Sequence, residues 1–168
     1  MSVVELRDLN SKAVEELLSA YGVELITLTL GTSIPASYWG APEAGIAGQC
    51  VFARADTPVH SLLHELCHYV CMTPERRMAL WRDAGGDEEE ECAVCYLQVL
   101  LADRLPGLGG TRLLEDLDRW GYSFREGSAA AWFAGDGVAA RRWLADRGLI
   151  DTNDEPTLRL RTHSQGSE

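Results

Sequence analysis

No stretch of this sequence comes near the roughly 20 consecutive apolar residues that a membrane-spanning helix needs, so no transmembrane span is expected. The first ten residues carry acids among their apolar side chains and lack the basic start, apolar centre and small-residue cleavage site of an export signal. A soluble, cytoplasmic protein is the expectation. Cysteine is sparse: five residues, an odd count, suit reduced thiols better than a disulfide framework. Basic residues are also scarce, with 15 Lys and Arg against 26 Asp and Glu and a formal charge of −11. Such a surface repels a phosphate backbone and favours solubility. With no basic recognition helix in view, direct binding of nucleic acid is not expected. No internal repeat is visible.

What remains is a globular balance, 46% hydrophobic and 24% charged residues over 168 positions. A chain of this size can bury about two thirds of its unfolded surface in one core without covalent staples. One domain over residues 1–150 is expected, followed by a polar, flexible tail over 151–168. Apolar residues at helical spacing predict a helix over 11–20, with Ser11 as its cap. Residues 23–30 and 49–53 read as short strands on either side of a Gly/Pro-rich stretch. Asp56-Thr57-Pro58 predicts a helix start, by a capping side chain and a proline where its missing N–H costs nothing. That helix should run to about Cys71. Thr73-Pro74 repeats the device for a short helix, and Asp87 caps a third that continues through Leu101. Residues 112–120 and 138–147, the latter capped by Asp136, complete the helices. The class is α+β, mostly helical with a small sheet.

The chemistry lies in His64-Glu65-Leu66-Cys67-His68, an H-E-x-x-H pattern holding two of the four histidines. Residues four apart on a helix share one face, so both imidazoles can aim at a single ion. Glu65 lies about 100° round the helix, badly placed to ligate but well placed to take a proton from activated water. Without a metal, two imidazoles and a carboxylate would sit on otherwise apolar turns (Leu62, Leu63, Leu66, Val70) in want of partners. A catalytic zinc site takes three protein ligands and keeps a position open. The acidic run Asp87 to Glu91 is the obvious supplier, although acids at a helix start are favoured by the dipole alone. Glu91 is preferred as the glutamate nearest the apolar stretch 92–101, with Glu90 its close competitor and Glu88 and Glu89 in the water-facing first turn.

These residues resemble the gluzincin clan of zinc metallopeptidases, and within it the minimal prokaryotic ImmA/IrrE-like proteins, over about 49–101. The resemblance implies a zincin-like fold. A short edge strand, here 49–53, would precede the motif helix, and a later helix would open on a glutamate ligand, here Glu91-Cys92-Ala93-Val94-Cys95-Tyr96. It implies His64, His68 and Glu91 as zinc ligands and Glu65 as catalytic acid and base. It departs from the thermolysin-like branch at Cys95, four residues after the third ligand, where that branch carries an aspartate orienting the first histidine. The part after about Leu105 matches no pattern.

The implied activity is hydrolysis of a peptide bond by a zinc-activated water, on a peptide or protein substrate that could pair with the edge of strand 49–53. The alternative is a zinc-binding regulatory or interaction module without turnover, acting with a partner protein. Candidates for stabilising the tetrahedral oxygen are Tyr122, Arg125 and His163, with His60 one turn before the motif. A rival four-cysteine zinc site could use Cys67, Cys71, Cys92 and Cys95, whose default role is buried packing. Trp120, Trp132 and Trp143 are expected to pack the C-terminal helices.

Overall fold

The computed structural model describes residues 2–82, 84–121, 128–135 and 137–162. After a single 3-10 turn at Leu6–Asp8 come α1 (Ser11–Ala20), β1 (Glu24–Leu28), β2 (Gly45–Ala47) and β3 (Cys50–Arg54). The rest is helical: α2 (Val59–Cys71), α3 (Pro74–Met78), α4 (Glu88–Ala102), α5 (Gly109–Trp120), α6 (Ala129–Ala134) and α7 (Gly137–Asp146). The α+β class read from the sequence is what forms. No helix among the described residues is long and apolar enough to cross a membrane.

Local signals act where a side chain is free to cap. Thr73 accepts from the Arg76 N–H and Asp87 from the Glu90 N–H, starting α3 and α4 as predicted. They mislead where another partner wins. Asn10, not Ser11, caps α1 by accepting from Ala13. Asp56 caps nothing, because its carboxylate is taken by Arg54 at 2.9 and 2.7 Å. The expected Asp136 cap lies outside the described residues. Besides the 3-10 turn, the elements not foreseen are β2 and α6, three and six residues long. Such pieces carry too few side chains for a period and exist because of what they dock on.

The sheet has the order β1-β3-β2, with β1 parallel and β2 antiparallel to β3. Strand β3 is therefore central, which corrects the expectation that residues 49–53 form an edge. Both of its sides are paired, so no substrate chain can add there. The outer side of β2 is also in use: the Ile46 N–H donates to Ala36 (3.3 Å) and its carbonyl accepts from Arg82 (2.9 Å). Gly45 makes that closeness possible, since a Cβ there would lie 1.9 Å from the Pro35 carbonyl oxygen.

Helix α2 is the hub. Every one of its residues except His64 is buried, the signature of a helix covered on all sides. It packs against β2 and β3, against α4 and against α5, while α7 lies against α4. Leu62, Leu63 and Leu66 have no exposed surface, each contributing roughly 1.5–3 kcal/mol of burial. In the C-terminal third, Trp132 is buried against Tyr96. Trp143 lies under Arg147, and the exposed Trp120 donates to Glu43 at 3.0 Å.

The segment after 150 does not fray as its polarity suggested. Thr157 donates to Leu149 and Arg161 to Val70, each at 3.0 Å, and the Arg161 side chain is buried. One buried guanidinium anchors a stretch whose composition reads as solvent-exposed. Residues 163–168 lie outside the described residues.

Candidate metal centre

Helix α2 sets His64 and His68 one turn apart with their rings 4.6 Å apart at 87°, and their Nε2 atoms meet at 3.1 Å. Helix α4 brings Glu91 to both: its carboxylate oxygens lie 3.0 Å from His64 Nε2 and 3.4 Å from His68 Nε2. The helices run antiparallel, as the reversed order of contacts requires, with Gln98 beside His60 and His64 and Glu91 beside His64 and His68. Glu90 points elsewhere, into an ion pair with Arg76, while Glu88 and Glu89 are exposed. Of the candidate acids, Glu91 alone joins the histidines.

Gln98, unforeseen in the sequence, fixes the chemistry of His64. Its amide N–H₂ donates to the His60 carbonyl at 2.7 Å, which turns its oxygen toward His64 Nδ1 at 3.1 Å. An amide oxygen can only accept, so His64 carries its proton on Nδ1 and presents the lone pair of Nε2. That lone pair faces a carboxylate oxygen and a second imidazole nitrogen. Facing acceptors repel unless a cation, a proton or a metal ion, sits among them. Burial raises the Glu91 carboxyl, but when the histidines take up a further proton the hydrogen bond from His64 and the charges of His68 and His64 outweigh it and hold it below its ordinary value.

Separations of 3.0, 3.1 and 3.4 Å between donor atoms also suit an ion. A tetrahedral metal with bonds near 2.0–2.1 Å has ligand atoms about 3.3 Å apart. The His-His-Glu group is therefore one that could bind a metal ion. Among the described residues it is the only such group of His, Cys, Asp and Glu.

No family model, no curated protein and no solved structure matches the chain. The site must be argued from its own residues.

It opens on a cavity of about 270 Å³ lined by His64, His68, Glu91 and Glu65, with Tyr38, Trp39 and Arg82 among the walls. Glu65, 9% exposed, thus reaches the same space as the three donor atoms. One turn earlier, Ser61 holds the cavity wall by accepting from the Ala44 N–H at 2.9 Å. Tyr38 and Trp39 pack edge to face at 5.0 Å, and Trp39 is 78% exposed.

The remaining expectations fare differently. His60 is buried against Trp120, ring centroids 5.2 Å apart, and does not line the cavity. Burial holds its imidazole down to about 4. Tyr122, Arg125 and His163 lie outside the described residues. Among the described residues the four cysteines assemble no metal group, and burial pushes the thiols of Cys67 and Cys71 up, against the thiolate that metal binding needs. No sequence signal singled out Tyr38, Trp39 or Arg82, because loops distant along the chain bring them to the cavity. Gln98 had one. It lies seven residues after Glu91 on the same helix face, a polar residue in an apolar run.

Proposed function

We propose that this chain is a zinc-dependent metallopeptidase of zincin-like fold, with His64, His68 and Glu91 as zinc ligands and Glu65 as general base. The observation that carries the reading is the convergence of the three donor atoms beside Glu65, with the His64 tautomer locked by Gln98. Two imidazoles and one carboxylate, with a cavity in front of them, form the donor set of an open catalytic zinc site. Bound zinc supplies Lewis acidity, acidifying water and polarising a carbonyl. Glu65 takes the proton of the attacking water and returns it to the departing amine. Gln98 keeps His64 in its ligating tautomer, and Glu91 balances charge.

The substrate is a peptide or an unfolded segment of a protein. Because β3 is interior and the outer side of β2 is self-paired, the substrate is held by cavity walls and not by strand addition. Tyr38 and Trp39 offer it an aromatic surface, and Arg82, the arginine among those walls, is the candidate to meet a developing oxyanion.

The test is metal content and turnover on protein purified without chelators. One zinc per chain, lost in His68→Ala and Glu91→Ala, is expected. Glu65→Gln should keep zinc and lose about 10²- to 10⁴-fold in cleavage of whichever library peptides the wild type cuts. Zinc retained by both ligand variants, or cleavage unchanged by Glu65→Gln, overturns the reading. Zinc held without cleavage of any peptide favours a regulatory module.

A further inference from the structure

Glu90 and Glu91 are neighbours on α4, so their side chains leave the helix about 100° apart. While Glu91 meets the histidines, Glu90 enters the protein and is 4% exposed. Its carboxylate receives both prongs of Arg76, at 2.8 and 2.7 Å, and Arg161 Nη1 lies 3.4 Å from its Oε1. Each arginine is tied onward. Arg76 Nη2 donates to the Ala84 carbonyl at 2.7 Å, on the cavity wall. Arg161 Nη1 donates to the Cys71 carbonyl at 3.1 Å, at the end of the motif helix. Arg77 closes the ring, donating to the Tyr69, Met72 and Arg161 carbonyls. The loop before α4 lies directly on the ion pair: at Gly86, with φ +102°, a Cβ would sit 2.7 Å from Glu90 Oε2.

Burying charges is a poor way to hold helices together, since desolvation offsets most of the attraction and an apolar cluster of equal volume would serve. A bidentate Arg–carboxylate pair adds direction. Direction is what the first turn of α4 needs: Glu88 and Glu89 face solvent, and the chain enters over Gly85 and Gly86, both at positive φ. The first turn buries no apolar side chain of its own, so apolar packing does not hold it, and unwinding there would carry Glu91 off the histidines. We propose that Glu90, Arg76 and Arg161 are positioning residues for the metal centre: they hold the first turn of α4, and through Arg161 make the C-terminal segment part of that centre. The proposal rests on the metal-site reading above but concerns residues that touch no metal.

The test compares zinc dissociation constants of the purified full chain, read by competition with a chromophoric chelator, with thermal unfolding of the metal-free protein. Glu90→Gln and Arg161→Met are expected to weaken zinc about tenfold or more, the usual consequence of losing a residue that orients a ligand. Leu18→Ala is the control: it opens a cavity in α1 and lowers stability, and should leave zinc affinity within about twofold. Arg76→Lys keeps a charge at a partly exposed position but loses the fork. It should still fold, weaken zinc several-fold and alter the visible spectrum of the cobalt-substituted protein. If Glu90→Gln does not fold, Arg76→Lys decides. Zinc affinity unchanged in the folded variants, or lowered equally by Leu18→Ala, overturns the proposal. Wild-type protein that binds no zinc is a separate result, which removes the metal-site reading and this proposal with it.

Discussion

Replacing Gln98 by leucine tests the tautomer argument with little change of shape. The side chain has no exposed surface and makes two hydrogen bonds that leucine cannot: it accepts from His64 Nδ1 at 3.1 Å and donates to the His60 carbonyl at 2.7 Å. Depriving a buried group of such a partner costs about 1–3 kcal/mol. The metal-free variant should thus be less stable by roughly 2–6 kcal/mol. The effect on the centre is separable. With no acceptor at Nδ1, nothing holds the His64 proton there, and the Nε2–H form, which cannot ligate, becomes accessible. Losing an orienting partner of this kind weakens metal binding about 10- to 100-fold, or about 1.4–2.8 kcal/mol. Zinc titration against a chromophoric chelator measures the second effect and urea unfolding of the metal-free protein the first. A folded variant that binds zinc within twofold of wild type refutes the claim that Gln98 selects the ligating tautomer.

Other perturbations have equally definite outcomes. Trp39→Ala removes a side chain that is 78% exposed, so stability should move by less than about 0.5 kcal/mol while KM for cleaved peptides rises; an unchanged KM would mean that the aromatic wall does not touch substrate. Gly45→Ala drives a Cβ to 1.9 Å from the Pro35 carbonyl oxygen and should destabilise by about 3 kcal/mol, seen as a lowered Tm. His60, held at about 4 chiefly by burial, binds a proton less readily than in the unfolded chain, where its value is 6.5. The unfolded state therefore holds more protons between pH 6.5 and 4. Stability of the metal-free protein should fall on acidification through that window, by about 3 kcal/mol at most. His60→Phe, which keeps the packing on Trp120, should flatten that part of the urea-unfolding profile.

How much of this could be read beforehand depended on how local the cause was. Thr73 and Asp87 start their helices because the partner of each cap lies three residues on. The pairing of His64 with His68 follows from the helical period in the same way. Asp56 looked like a cap by the same rule and is not one, since Arg54 sits two residues back and outcompetes the backbone for its carboxylate. The sheet order was beyond local reading. That β3 is central depends on residues 24–28 lying parallel to 50–54 and residues 45–47 antiparallel to them. The docking of 149–162 uses Arg161, whose partners Glu90 and Cys71 lie 71 and 90 positions away, together with Leu158 and Leu160 packed on the core.

The acidic run shows where sequence reasoning reached its candidate by an incomplete criterion. The sequence prefers Glu91 as the acid nearest the apolar part of α4, with Glu90 its close competitor. Burial ranks the pair the other way: Glu90 is 4% exposed and the Glu91 side chain 48%. The physical reason is that the two carboxylates meet different demands. One that must hold charge without an open face needs cations on all sides, and Glu90 takes Arg76 and Arg161. One that lines a cavity stays partly exposed, as Glu91 does beside the two histidines. Consecutive glutamates at the start of a helix can meet both demands because a 100° step separates an inward face from a cleft face. The arginines that claim the inward acid thereby leave the outward one to the histidines. Within such a run, the acid to test as a ligand is the one beside the buried ion pair, not the one inside it.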